Sequence, residues 1–294
     1  MTRARSERAR RRLRGAPAAR AGRRPAPLAC AAALALAAVA GTARAQVPSM
    51  DVSVVPEFAS VQPGGALRVA LRLGIPPGWH IYWINPGSAG LPTTLAWQLP
   101  AGVSGGATDW PYPETDESGG EVTNVYRGTV VAFSSFTAAP AASGRVKLTA
   151  HLVWGLCQAQ CVRQERTVEV TVPVSSRAPQ RTTAWSEAEA AARFLPLREP
   201  GAVLTAVARG DTVRLDLVGL RAGPEPGSWV TYFPLAPGLP SAVAQVRTAP
   251  GGIAVTLPRA VADSARLTGV LVPAHAPGAP PPGRAIAVDA ALTR

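Results

Sequence analysis

The sequence predicts an all-β fold: two antiparallel β-sandwich domains joined by a short helical linker. Three observations carry this. Apolar and polar residues alternate at period two in most runs beyond residue 45, the signature of half-buried strands. Gly and Pro clusters such as Pro63-Gly64-Gly65, Pro76-Pro77-Gly78 and Asn85-Pro86-Gly87 punctuate those runs, so the strands are short and joined by turns. One stretch, Trp185 to Leu195, reads as a helix. Short strands separated by turn signals bury their apolar faces by packing sheet on sheet.

Residues 1–45 stand outside this pattern. They hold eleven arginines and one glutamate, then a small-residue apolar run from Leu28 to Gly41, then Ala43-Arg44-Ala45. A basic n-region, an apolar h-region and an A-x-A site make a secretory signal peptide, with cleavage expected before Gln46. Cys30 precedes the apolar run and is expected to leave with the signal. The chain's net charge of +12 comes mostly from this segment; nineteen basic and seventeen acidic residues follow it. The high isoelectric point therefore belongs to the export signal and implies no basic surface for nucleic acid. No later stretch approaches the ~18 apolar residues of a membrane helix. A soluble, exported, periplasmic product is expected, in a compartment where disulfides persist.

A first domain is expected over residues 46–176. Leu67, Val69, Leu71, Leu73 and Ile75 share one face of a strand, with Arg68 and Arg72 on the other. His80 to Ile84, Leu95-Trp97-Leu99 and Val130 to Phe136 supply further strands. Leu148, Ala150, Leu152 and Trp154 lead into Cys157; Val168, Val170, Val172 and Val174 follow Cys161. Alternation on both sides puts the two cysteines at the connection between paired strands. Residues 177–200 form the linker. Its helix offers a capping box in Ser186-Glu187-Ala188-Glu189, and Pro196 and Pro200 end it. A second β-sandwich is expected over residues 201–294, from Val203-Thr205-Val207, a turn at Gly210-Asp211, Val213-Leu215-Leu217, Trp229 to Leu235, Ile253 to Leu257, Leu267 to Val272 and Ile286 to Val288. Pro280-Pro281-Pro282 reads as an extended loop.

Cys157 and Cys161 are the candidate site. An even cysteine count in an exported chain is most simply a structural disulfide. Three points favour a redox-active pair instead. So short a loop gains only about 2 kcal/mol of chain-entropy stabilisation, against more than ~4 for a bridge between distant segments. A domain of this size folds without a staple. A short bridge near a turn is open to another thiol, and exposed bridges are the easily reduced ones. Three intervening residues do not match the C-x-x-C of thioredoxins, and no helix follows to depress a thiol pKa. Copper(I) is the alternative that two thiolates admit, although Met50 is the only methionine after residue 45 and His151 sits on the strand face opposite Leu152 and Trp154. Trp79, Trp83, Trp97 and Trp154 suit a sandwich interior or a partner surface. Glu114, Asp116 and Glu117 read as a solvated acidic loop, with orienting a lid or holding a cation as the alternative, and Tyr126 as a packing residue or a hydrogen-bond partner of the thiols. His80 and His275 have no companions at catalytic spacing. No Ser/His/Asp set, phosphate-binding glycine loop or zinc spacing is visible.

Pro77-Gly78-Trp79-His80-Ile81-Tyr82-Trp83-Ile84-Asn85-Pro86-Gly87, then Gly90-Leu91-Pro92-Thr93-Thr94 and Trp97, resembles the N-terminal periplasmic domain of DsbD-type protein-disulfide reductases. The likeness is closest to the branch of the copper-sensitivity suppressor ScsB. Trp110-Pro111 with Pro113, Asn124-Val125-Tyr126-Arg127-Gly128 and the Cys157/Cys161 pair follow in that family's order. Tyr232-Phe233-Pro234 with Gln245 is similar to the second β-domain of that branch. The resemblance implies an immunoglobulin-like sandwich whose cysteines relay electrons without a cofactor or metal. A thioredoxin-like or membrane-embedded donor would reduce it, and it would reduce disulfides of exported clients, with Cys161 as the attacking sulfur. Val162-Arg163 departs from the family after the second cysteine, and residues 114–123 lack the aromatic of the family's cap loop. The rival expectation from another class is a secreted β-sandwich binding module, for a protein or for copper(I), with an inert bridge.

Overall fold

The computed structural model describes residues 47–294 apart from 119, 263–264 and 275–282. The expected signal segment, Cys30, His275 and the expected Pro280-Pro281-Pro282 loop lie outside the described residues. Seventeen strands and one short helix make up the described chain, as the all-β pattern requires.

The first ten strands form two sheets. One has the order β1-β2-β8-β5, from Asp51–Pro56, Ala66–Gly74, Thr129–Ala138 and Val103–Asp109. The other runs β10-β9-β3-β7-β6, from Cys161–Pro173, Arg145–Cys157, His80–Gly87, Thr123–Tyr126 and Glu114–Asp116. On the edge of β9 away from β10, β4 (Thr94–Gln98) occupies the middle and β3 pairs only at the tip. Period-two burial follows the sequence pattern. Leu71, Leu73, Ile81, Trp83, Leu152, Trp154 and Leu156 fill one end of the interior; Leu67, Val69, Phe136, Leu148 and Val172 fill the other.

Strand β8 breaks the alternation because both its faces are covered: Val130, Val131, Ala132 and Phe133 are all buried. The cover on the outer face is α1 (Trp185–Ala191), whose Trp185 and Ala188 pack on Ala70, Val131 and Phe133. Arg68 stacks over Phe133 and Trp185 at 4.6 and 5.6 Å. The predicted helix is thus shorter than expected, passing into a 3-10 turn over Ala192–Phe194. The capping box does not form: the N-cap is Ala184, without a side-chain bond, and the Ser186 hydroxyl donates to the Thr183 carbonyl. Arg72–Glu187 and Arg181–Glu189 pairs tether the helix instead.

The remaining strands are β11 (Val203–Arg209), β12 (Thr212–Val218), β13 (Trp229–Pro234), β14 (Ala242–Ala249), β15 (Gly252–Pro258), β16 (Arg266–Pro273) and β17 (Ile286–Thr293). They form a closed barrel of order β11-β12-β15-β14-β13-β16-β17, shut by parallel pairing of Ala206 and Val207 with Leu292 and Thr293. Closure leaves no sheet edge, which is the finer difference from an open sandwich. The inward phase of β11 is Leu204 and Ala206, not Val203, which is 57% exposed. Strand β14 has no counterpart in the sequence reading.

The two β-units share a core. Phe233, Val270, Val272 and Ala285 of the barrel join Trp83, Tyr126 and Trp154 of the sandwich, and Trp83 meets Phe233 edge-on at 6.1 Å. Fully buried Asn85 links them by polar bonds. Its amide donates to the Pro234 and Leu239 carbonyls, both at 2.9 Å, and its Oδ1 accepts from the Gly87 and Gly238 amides.

Candidate redox site

Strands β9 and β10 pair in register over their full length, ending at Cys161 opposite Cys157. Gln158, Ala159 and Gln160 close the hairpin. Directly opposed residues of an antiparallel pair share a face with Cα atoms about 4.5–5.5 Å apart. The cysteines, with Cα atoms 4.0 Å apart, are joined by a disulfide. The expected position at a strand connection is therefore observed.

Alternation then decides which face carries the bond. Even-numbered residues of β9, from Leu148 to Leu156, point into the sandwich. Cys157 is in the odd phase, so the disulfide lies on the outer face of the sheet. There the two sulfur-bearing residues differ: Cys157 is 1% exposed, whereas Cys161 is exposed.

What covers Cys157 comes from the motif around residues 78–93. A side chain at Gly155 would meet Leu91 at 3.3 Å and the Cys157 sulfur at 3.8 Å. Glycine there leaves room for Leu91 beside the bond. Strand β3 adds His80, directly opposite Cys157, and Tyr82 two residues on. The two rings meet edge-on, 5.4 Å apart. The Tyr82 hydroxyl lies 4.0 Å from the Cys161 sulfur. Its ring lies across Gly90, where any Cβ would fall within 2.4–2.6 Å of ring carbons, and whose φ of +114° also favours glycine. Thr93 donates its hydroxyl to the Tyr82 carbonyl at 2.6 Å, fixing the segment against β3.

The electrostatics around this face come from β6 and the end of β7. Arg127 pairs with Asp116 and, at 3.5 Å, with Glu114. Burial alone would raise the Asp116 carboxyl, but hydrogen bonds from Ser118 and Arg127 hold it down at about 2. These carboxylates are strand residues bound to a cation, where the sequence suggested a solvated loop. His80 is lowered from its usual value, chiefly by burial and then by Arg127, with Asp116 opposing. Tyr82 is raised, by burial first and then by Asp116 and Glu121, so it remains a protonated donor at neutral pH.

Other candidates fall elsewhere. Tyr126 is buried on the core face and donates to the Pro111 carbonyl at 2.5 Å, which makes it a packing residue. Trp83 and Trp154 are core, while Trp79 and Trp97 are partly buried against it. Met50 is committed to the core. His151 pairs with Ala96 and Thr167, well down β9 from the hairpin tip.

The family model described as thiol:disulfide interchange protein DsbD, N-terminal, matches residues 50–173, from the last residue before β1 to the end of β10. The chain carries a DsbD-type N-terminal domain. Both cysteines of the hairpin, the His80/Tyr82 strand and the Gly90–Thr93 segment fall inside that match. The crystal structure of the N-terminal periplasmic domain of ScsB from Proteus mirabilis is similar over 84% of this chain and 95% of that chain, with a TM-score of 0.52 and 17% identity. That likeness speaks for the fold and takes in more of the chain than the DsbD N-terminal match. The chaperone–tip adhesion subunit complex CsuC–CsuE of Acinetobacter baumannii aligns over 83% of this chain and 100% of that chain, at a TM-score of 0.19 and 8% identity. None of the curated proteins matches the sequence.

Within the DsbD-type domain, sequence reasoning found the cysteines and missed what frames them. His80 and Tyr82 share the strand phase opposite to Ile81 and Trp83. That phase was legible; the register placing β3 beside the tip of β9 was not.

Proposed function

We propose that the chain is a thiol–disulfide exchange protein of the periplasm, passing electrons from a membrane-embedded or thioredoxin-like donor to disulfides of exported clients. The observation that carries this is the asymmetry of the pair: an exposed Cys161 bonded to a buried Cys157 on an outer sheet face. Disulfide exchange needs one sulfur open to in-line attack by a foreign thiolate and a second that waits as leaving group and resolver.

A donor thiolate attacks the Cys161 sulfur, and Cys157 departs as the thiolate and is protonated. A second donor thiol then displaces Cys161, leaving a dithiol. In the forward half, the Cys161 thiolate attacks a client disulfide and Cys157 displaces the client from the mixed disulfide. Tyr82 supports the second displacement by donating to the Cys161 thiolate as it leaves. Residues 201–294, as a second domain, brace the strand that frames the pair.

The test is a comparison of Cys161→Ser with Cys157→Ser. Cys161→Ser is expected to abolish reduction of a model disulfide, whereas Cys157→Ser still attacks but stalls as a mixed disulfide. Full activity in Cys161→Ser, or a midpoint potential below about −300 mV, typical of structural bridges, would overturn the proposal.

A further inference from the structure

We propose that His80 is the general base that takes the thiol proton of Cys157 when Cys157 resolves the mixed disulfide. The proposal rests on the exchange function above and assigns a residue that the cysteine chemistry alone does not supply.

The geometry is a row across the outer face of one sheet. Cys161 is opposite Cys157, and Cys157 is opposite His80. The pairing of Ile81 with Tyr126 then brings Arg127 opposite His80. Opposed residues on one face have Cβ atoms about 4.5–5.5 Å apart, within reach of an imidazole on a thiol. Cys157 is buried, so its neutral thiol is favoured over the thiolate and hydroxide from bulk water has poor access. The resolving step nevertheless requires the thiolate. A half-buried histidine beside it joins the sulfur to solvent.

The surrounding groups leave this role to His80. Tyr82, on the same strand, stays protonated and serves as a donor. Asp116, on β6, is held ionised by Ser118 and Arg127, and Glu114 is engaged with Arg127 as well. Arg127 cannot accept a proton. Glu121, in the β6–β7 connection, acts on Tyr82. Arg127 and burial disfavour the imidazolium, which keeps His80 neutral and receptive at neutral pH.

The step balances without a further reagent. In the mixed disulfide Cys161 is bonded to the client sulfur and Cys157 is a thiol. The Cys157 S–H bond breaks and its proton goes to the imidazole. The Cys157 sulfur bonds to the Cys161 sulfur, and the Cys161–client bond breaks. The client leaves as a thiolate and takes the proton from the imidazolium. The client disulfide is reduced by two electrons and the cysteine pair is oxidised by two.

The experiment uses the full exported chain, reduced and mixed with glutathione disulfide, with acid quenching and mass measurement of the Cys161–glutathione adduct. In His80→Gln and His80→Phe, the latter keeping a ring against Tyr82, adduct formation should match wild type within about twofold. Adduct decay should slow by about tenfold or more between pH 6 and pH 8, and the difference should close near pH 10, where the thiol ionises unaided. Superimposable decay profiles for wild type and both variants would overturn the proposal. Adduct formation by Cys157→Ser checks the underlying function separately: its absence would sink thiol exchange itself, and this inference with it.

Discussion

Tyr82 shows how much one residue's setting decides. Its hydroxyl is useful only because the ring lies flat over Gly90, which puts the oxygen 4.0 Å from the Cys161 sulfur. A donor to a thiolate lowers that thiol's pKa, which stabilises the reduced form and raises the reduction potential. Tyr82→Phe keeps the ring and removes the donor. Valued at about 1 kcal/mol, the lost bond should raise the Cys161 thiol pKa by most of a unit. It should slow alkylation by iodoacetamide about fivefold at pH values below the thiol's pKa, and move the potential down by about 20 mV at pH values above it, where the reduced form carries the thiolate. The pH dependence of alkylation, read by mass spectrometry, checks the first effect, and a redox titration the second. A titration curve identical to wild type would mean that the hydroxyl only packs. The burial difference between the two cysteines works on the same scale. The sulfur phase of β9 was readable from alternation, but the cover given by Leu91 came from a motif with no visible link to residue 155.

At the scale of elements, the informative case is β3. Its inward residues, Ile81 and Trp83, build the core; its outward ones, His80 and Tyr82, frame the disulfide; and Asn85 ties its end to the barrel. Three tasks on one short strand explain why its sequence departs from simple alternation at Asn85-Pro86-Gly87. Asn85→Ala strips partners from the buried Gly87 amide, from the Gly238 amide and from the Pro234 and Leu239 carbonyls. We expect a loss of about 3 kcal/mol and a urea transition that broadens or splits as the two β-units decouple. Asn85→Asp should be worse at neutral pH, because it turns an acceptor toward two carbonyls. Equal stability of both variants and wild type would refute the latch. Elements with strong period-two runs, such as β2, β9 and β10, were legible in the sequence. Those set by tertiary context were not. The two buried faces of β8 required the helix docked on it. The inward phase of β11 was masked because Val203 is more apolar than Ala206. Strand β14, with Arg247 and Thr248 near its end, carries too weak a pattern to stand out.

On the scale of the whole molecule, residues 177–200 are the decisive segment. A joint between independent domains should be free of both, yet this one is stitched to each. Its helix seals the outer face of the first sheet. Leu197 exchanges backbone bonds with Ala285, just before β17, and with Ala287 within it, and the Glu199 carboxylate accepts the Arg221 and Ala222 amides. Phe233, Val270, Val272 and Ala285 then complete a core begun by Trp83. Ending the chain at residue 200 would strip that apolar cover and leave Asn85 without its partners across the junction. Burying an apolar side chain is worth about 1.5–3 kcal/mol, and a domain's whole margin is only about 5–15 kcal/mol. The 47–200 fragment should therefore melt well below the full chain, by 10 °C or more on the order-of-magnitude scaling of stability with Tm, and should bind an apolar dye at temperatures where the full chain does not. Thermal unfolding followed by circular dichroism, with dye fluorescence alongside, measures both. Matching melting curves for the fragment and the full chain would mean that the barrel merely rests on the redox unit, and that the strand framing the disulfide keeps its place without it.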